Sequence, residues 1–107
     1  MEYIMYLIRR VYNVKPRTAM KVAEVLANVA QIYEKSGQRG PTKIYFNGGT
    51  LPGENNVVYM ECEDESIMSP YRGDNKIPPE VFEVGRQVRE HIIDQRIEFF
   101  ELINRNK

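Results

Sequence analysis

His91 is the only histidine of the chain, and imidazole is the side-chain type whose charge changes near neutral pH. It follows Val84 by seven residues, so on a helix the two side chains would lie about 20° apart around the axis. Val84 belongs to an apolar stripe, and Gly85 beside it leaves room for a ligand. We therefore expect His91 to face a cavity against the sheet, as a general base. The alternative is a histidine at a helix edge, bonded to a carboxylate such as Glu90 or Asp94.

Tyr45, Asn47, Tyr59 and Glu61 form a second candidate group, in and beside two short runs rich in β-branched and aromatic residues. Residues two apart share a strand face, so Tyr45 lies with Asn47, and Tyr59 with Glu61. If the strands pair, an amide, two phenols and a carboxylate converge. Such a group could orient a phenolic or keto substrate and move a proton. The alternative is a sheet face that meets a partner, with the tyrosines filling area.

Arg9 and Arg10 are adjacent in an apolar segment, so they lie on opposite faces of a strand. One of them is expected to point into a buried space, where a guanidinium requires an acid or an anionic ligand. Arg9 is therefore a candidate substrate-binding residue. The alternative is a structural ion pair with Glu61 or Glu101.

Tyr71 and Arg72 lie in an irregular segment, Ser66 to Ile77. They could form a lid that places one cation against a substrate carboxylate, and a surface loop is an equal alternative. One histidine and one cysteine without paired ligand spacing predict no metal site. The chain also lacks a nucleotide-binding fingerprint, so we expect no cofactor.

The composition predicts one globular domain over residues 1–107, with 42% apolar and 28% charged residues. Lysine plus arginine and aspartate plus glutamate each total 15, which gives no general attraction to nucleic acid or to anionic lipid. The longest apolar run, Ile4 to Ile8, is far shorter than the roughly 20 residues of a membrane span. The start of the chain lacks the pattern of a signal peptide, and Cys62 is the single cysteine. A cytoplasmic location is therefore expected.

The elements that must position these residues follow from periodicity and from turn residues. They are a strand from Tyr3 to Val14, a helix from about Thr18 to Ser36, strands around Lys43–Phe46 and Val57–Tyr59, a helix from about Glu80 to Ile93, and a strand from Arg96 to Ile103. The last segment would also suit a continued helix. The order β-α-β-β-α-β predicts an α+β, ferredoxin-like fold, an antiparallel four-stranded sheet with two helices on one face. The hairpin of Thr42 to Glu65 is expected at the middle of that sheet.

The first strand is apolar at every residue from Ile4 to Ile8 rather than at alternate residues. This pattern is typical of a strand that is covered on both faces. Two helices can cover only one face of the sheet, so a second copy of the chain is the simplest cover for the other. The sequence therefore predicts a homodimer.

The segment from Tyr6 to Pro16, YLIRRVYNVKP, resembles the opening of NIPSNAP-type and related dimeric α+β barrel proteins. In that group the first strand ends in a valine- or leucine-lysine-proline step and passes straight into a helix. The resemblance implies two sheets that face each other across a homodimer. The superfamily includes antibiotic-biosynthesis and haem-degrading monooxygenases, polyketide cyclases, isomerases and proteins without an established reaction.

The leading functional hypothesis is a small-molecule enzyme without metal, a cofactor-independent monooxygenase, cyclase or isomerase acting on a hydrophobic or aromatic substrate. His91 or Glu61 would abstract a proton, while Tyr45, Asn47 and Tyr59 stabilise an enolate or phenolate. One alternative is a non-catalytic dimeric binding or accessory protein. The other is haem binding through His91, which the resemblance disfavours because the chain has no tryptophan.

Overall fold

The computed structural model describes residues 4–36, 41–65 and 79–103. Four strands and two helices make up this part of the chain, with one short 3₁₀ turn. In chain order they are β1 (Tyr6–Val14), α1 (Ala19–Ser36), β2 (Lys43–Asn47), β3 (Val57–Asp64), α2 (Pro79–Arg86), the 3₁₀ turn (Arg89–His91) and β4 (Ile92–Glu101).

The four strands form one antiparallel sheet in the order β2-β3-β1-β4. This order and the two helices confirm the predicted ferredoxin-like arrangement. The expectation that the hairpin occupies the middle of the sheet is wrong for β2, which is an edge strand. The central pair is β1 and β3, because β4 returns to β1 and places the apolar first strand inside the sheet.

The second helix is shorter than its apolar pattern predicted. α2 ends at Arg86 rather than near Ile93, and β4 begins at Ile92 rather than at Arg96. Ile92 and Ile93 are β-branched, and Ile92 pairs with Val14 on β1. Pairing with β1 therefore places these residues in β4 rather than in α2. The pairing has a register irregularity between Asn13 and Val14.

The hydrophobic core lies between the helices and one face of the sheet, here called the helix-facing side. α1 supplies an apolar stripe whose members, except the half-buried Ile32, are buried: Val22, Val25, Leu26, Val29, Ile32 and Tyr33. The sheet contributes Tyr12 and Val14 of β1 with Val58 and Met60 of β3. Near α2 a second cluster joins Val29 and Tyr33 to Val81. Neither helix is long and apolar enough to cross a membrane.

The opposite face of the sheet, here called the open face, carries no other described element. Its residues follow from the strand register: they are Leu7, Arg9, Val11 and Asn13 of β1, Lys43, Tyr45 and Asn47 of β2, Val57, Tyr59, Glu61 and Glu63 of β3, and Asp94, Arg96, Glu98 and Phe100 of β4. Val11 is fully buried even here, between Tyr59 and Arg96 on the adjacent strands. The large polar and aromatic side chains of this face therefore already shield its centre.

Candidate functional site

Tyr45, Tyr59 and Glu61 come together on the open face, as the strand alternation predicted. Tyr45 and Tyr59 are directly opposite each other on β2 and β3, and their rings stack with centroids 4.9 Å apart at an angle of 18°. The Tyr45 hydroxyl donates a 2.6 Å hydrogen bond to Glu61 Oε1. Two phenols and a carboxylate thus form one ordered group on the sheet surface.

Arg9 extends this group towards β4. Its Nε and Nη2 atoms donate to Glu98 Oε1 at 3.0 and 2.9 Å. The guanidinium also lies 5.4 Å from the ring centroid of Tyr59 and 5.2 Å from that of Phe100. Arg9 is therefore held by a carboxylate and by two aromatic rings. Of the two interpretations that the sequence allows, the structural ion pair describes these contacts, and the acid is Glu98.

Three groups in this cluster have displaced pKa values. Hydrogen bonds from Arg96 and then from Arg9 hold the pKa of the Glu98 carboxyl below its usual value. The bond to Glu98 raises the pKa of the Arg9 guanidinium, followed by the interaction with Tyr45. Burial raises the pKa of the Tyr45 phenol, and the bond to Glu61 adds to that effect. Tyr45 is thus a neutral hydrogen-bond donor at pH 7, while Glu98 is ionised.

Asn47 shares the open face with Tyr45, but its side chain is engaged by the loop that joins β2 to β3. Its carboxamide nitrogen donates to the carbonyl of Leu51 at 3.0 Å, and its oxygen accepts from the backbone nitrogen of Gly49 at 2.9 Å. Gly49 has a positive φ of 113°, which favours glycine. The contacts of Asn47 therefore shape the hairpin loop rather than meet the tyrosines.

His91 ends the 3₁₀ turn, at the start of β4. Its carbonyl accepts a 2.9 Å hydrogen bond from the backbone nitrogen of Lys15, and its side chain is 20% exposed. Its Nε2 atom is buried without a hydrogen-bond partner, and Glu90 Oε1 is the nearest acid at 3.7 Å. No residue of the sheet hydrogen-bonds the imidazole within the described chain. His91, the expected general base, therefore has no hydrogen-bond partner on the described strands. It is also not among the residues that line the cavity described next.

A cavity of about 540 Å³ lies between α1, α2 and the helix-facing side of the sheet. Gly85, a candidate substrate-binding residue from the sequence, is among its lining residues, and a Cβ built on Gly85 meets no atom within 4 Å. Most of the wall is apolar. The lining residues are Arg10, Tyr12, Leu26, Val29, Tyr33, Met60, Val81, Phe82, Gly85, Val88, Arg89, Ile92, Ile93, Asp94 and Gln95. A cavity of this size and character is typical of a small-molecule site.

Two arginines of this cavity, Arg10 and Arg89, were not singled out as ligands from the sequence. Arg10 belongs to the pair Arg9-Arg10, and the same alternation that puts Tyr12 in the core puts Arg10 beside it. The alternation of β1 therefore indicates a position beside the core for Arg10 as soon as Tyr12 is assigned to the core. Arg89 follows α2 and enters the cavity only because that helix ends at Arg86.

The predicted catalytic and substrate-binding residues are therefore divided between two faces of the sheet. Tyr45, Tyr59, Glu61 and Arg9 lie on the open face, whereas Gly85 lines the cavity on the other side. The predicted lid residues, Tyr71 and Arg72, lie outside the described residues. Within the described ranges no three His, Cys, Asp or Glu side chains are placed to hold a metal ion. His91 does not line the cavity, so the residues do not fit a haem seated there with His91 as its axial ligand.

Solved structures with the same architecture confirm the resemblance at the level of the fold. A NIPSNAP family protein of unknown function from Agrobacterium tumefaciens is 14% identical with a TM-score of 0.74, covering 99% of this chain and 95% of that chain. A Bacteroides fragilis protein described as dimeric, ferredoxin-like and of unknown function is 13% identical with a TM-score of 0.67, covering 92% and 96%. A Deinococcus radiodurans protein described as a candidate antibiotic biosynthesis monooxygenase is 10% identical with a TM-score of 0.64, covering 95% and 96%.

No protein-family profile and no curated protein sequence matches the chain. Identities of 10 to 14% establish the shared fold alone, so an account of function depends on the two groups of residues described above.

Proposed function

We propose that this protein binds an apolar or aromatic small molecule in the cavity between its helices and its sheet. The observation that carries the proposal is the cavity itself, about 540 Å³ with a mostly apolar wall. Gly85 supports it, because the wall has open space at the point where α2 lacks a side chain. The binding function ranks above catalysis because the expected general base, His91, is not among the lining residues.

A cavity-filling substitution tests this function. Gly85→Leu should place a side chain against the ligand and weaken the binding of a neutral two-ring probe, naphthalene-2-carboxamide, by more than about tenfold. The matched control is Glu83→Leu, which adds the same side chain to an exposed position of α2 outside the cavity. Calorimetric titration gives both affinities. Equal binding of the probe by the two variants would contradict the proposal.

We further propose that the molecule is a homodimer in which the open faces of two sheets meet. Both helices pack on the other side of the sheet, and the open face presents Tyr45 and Phe100 partly exposed. The Bacteroides fragilis protein of the same fold is described as dimeric, which supports this arrangement. Sedimentation of dilute protein should give twice the mass of one chain, and a monomer at micromolar concentration would contradict it.

The second candidate function is proton transfer on a phenolic or keto substrate, in the class of cofactor-independent monooxygenases, cyclases and isomerases. The 2.6 Å bond from the Tyr45 hydroxyl to Glu61 favours it, since that pair combines a neutral donor with a carboxylate. The pair lies on the open face, so a substrate would reach it only between two sheets of the dimer. One neighbour of the same fold, the Deinococcus radiodurans protein, is described as a candidate antibiotic biosynthesis monooxygenase, which is the reason for retaining this class.

A further inference from the structure

Arg10 is a cation set in an apolar part of the sheet. Its side chain lies on the helix-facing side of β1, where the residues directly opposite are Met60 on β3 and Ile97 on β4. Its neighbours on the same face of β1 are Ile8 and Tyr12. No carboxylate occupies any of these four positions, so the sheet surrounds this guanidinium without supplying a counter-charge.

Arg89, an exposed residue of the 3₁₀ turn that follows α2, adds a second positive charge to the lining of the same cavity. Neither Arg10 nor Arg89 makes a hydrogen bond or an ion pair with another described residue. Asp94 is the one acidic residue of the lining, and its carboxylate already accepts a hydrogen bond from the side-chain amide of Asn13, on the open face. Two positive charges against one negative charge leave the lining with a net positive charge.

We infer that the cavity selects organic anions, specifically molecules with an apolar body and a carboxylate that Arg10 and Arg89 bind. This inference rests on the proposed binding function and names its ligand class. A guanidinium offers a planar fork of N–H donors that matches a carboxylate, and the interaction strengthens where water is displaced. The apolar wall, including Val29, Val81 and Val88, would then bury the rest of the ligand.

Two probes of nearly equal shape separate the charge preference from the binding of any apolar molecule. Naphthalene-2-carboxylate carries the charge, and naphthalene-2-carboxamide does not. The unmodified protein should bind the carboxylate more tightly by about tenfold or more, as measured by calorimetric titration. Methyl resonances of Val29 and Val81 should shift with both probes, which locates binding to the cavity.

Arg10→Gln and Arg89→Gln should each weaken carboxylate binding by about tenfold and leave carboxamide binding nearly unchanged. Retained carboxamide binding shows that a variant is folded. Arg86→Gln is the matched control, because Arg86 is an exposed arginine at the end of α2, three residues before Arg89, paired with Glu83 and outside the cavity lining. That variant should keep the full preference for the carboxylate.

The outcomes separate the two proposals. Carboxamide binding without a preference for the carboxylate, or a preference that survives both Arg10→Gln and Arg89→Gln, would overturn the inference about anions and leave the binding function standing. Failure of both probes to bind at the cavity would overturn the binding function and the anion inference together.

Discussion

Arg9 and Arg10 are neighbours on β1, yet the two faces of the sheet treat them in opposite ways. The open face places an acid opposite Arg9 on each adjacent strand, Glu61 on β3 and Glu98 on β4, and Glu98 takes the guanidinium. The helix-facing side places Met60 and Ile97, rather than acids, opposite Arg10. The same side chain is thus paired with an acid on one face and has no acidic partner among the described residues on the other.

The two faces differ in how their polar groups are paired. In the open-face group of Arg9, Tyr45, Glu61 and Glu98, charges and phenols bind one another, so a second sheet could cover this group without leaving its charges unpaired. Arg10, in the cavity, has no acidic partner among the described residues, which costs stability and is typical of a binding site. Under the two proposals, one face serves assembly and the other binds a ligand.

The largest expected effect concerns assembly, and it compares two adjacent phenylalanines of β4. Phe100 is on the open face and 42% exposed, whereas Phe99 is on the helix-facing side and 40% exposed. Phe100→Arg should raise the dissociation constant of the dimer by about a hundredfold, because it places a new cation beside Arg9 within the interface. Phe99→Arg is the matched control and should leave the dimer intact. Sedimentation equilibrium measures both.

The reverse result, dissociation by Phe99→Arg alone, would show that the helix-facing side of β4 forms the interface. The contrast between an assembly face and a ligand face would then be lost.

A smaller effect, of opposite sign at the two positions, is expected for stability. Arg9→Met removes the ion pair with Glu98 and two cation–π contacts, each worth about 0.5–1 kcal/mol at such sites, and should lower the free energy of unfolding. Arg10→Met replaces an unpaired guanidinium among apolar neighbours and should raise the free energy of unfolding by roughly 1 kcal/mol. Urea unfolding of the two variants at one protein concentration gives the comparison. Destabilisation of similar size by both would mean that Arg10 is also held by the protein.

The smallest effect is a titration on the open face. The raised pKa of Tyr45 means that its proton is bound more tightly in the folded chain than in the unfolded chain. Its contribution to stability is therefore complete below the ordinary tyrosine pKa of 10.0 and is lost as the pH rises through the higher folded value. Ultraviolet absorbance of phenolates should show a late-titrating component that Tyr45→Phe reduces by one tyrosine. Glu61→Gln should lower its midpoint only in part, because burial is the larger cause.

A Tyr45 that titrates at the ordinary value in the folded protein would show that neither burial nor the bond to Glu61 holds its proton, which would weaken the proton-transfer hypothesis.

Sequence periodicity predicted the fold well because its signals are local. The apolar stripe of α1, the β-branched runs of the strands and the glycine- and asparagine-rich loop each specify their own element. The convergence of Tyr45 with Tyr59 also followed, since a hairpin and a period of two suffice to place them opposite each other.

The partners across β1 and β4 could not be predicted in the same way. The sequence indicates Glu61 or Glu101 as the acid for a buried arginine, whereas the acid that binds Arg9 is Glu98. Register between two strands far apart in the chain depends on where β4 begins and on the irregularity beside Asn13, neither of which is a local property.

The position predicted for His91, facing the cavity, differs from the observed position for a related reason. Its angle relative to Val84 has meaning only along one continuous helix, and α2 ends at Arg86, five residues before the imidazole. The cavity could not be predicted either, because it is a half-open space formed by α1, α2 and the sheet together, and no single segment has a sequence pattern that indicates it.

The order of the strands in the sheet has a consequence for how the chain acquires its structure. β1 and β4 are neighbours in the sheet, although the ion pair that joins them links residues 89 positions apart. During synthesis, β1 therefore lacks one of its partners until β4 has emerged from the ribosome. Because contacts between residues so distant in the chain form slowly, the addition of β4 should limit the rate of folding. Until then β1 has an unpaired edge that can pair with another chain.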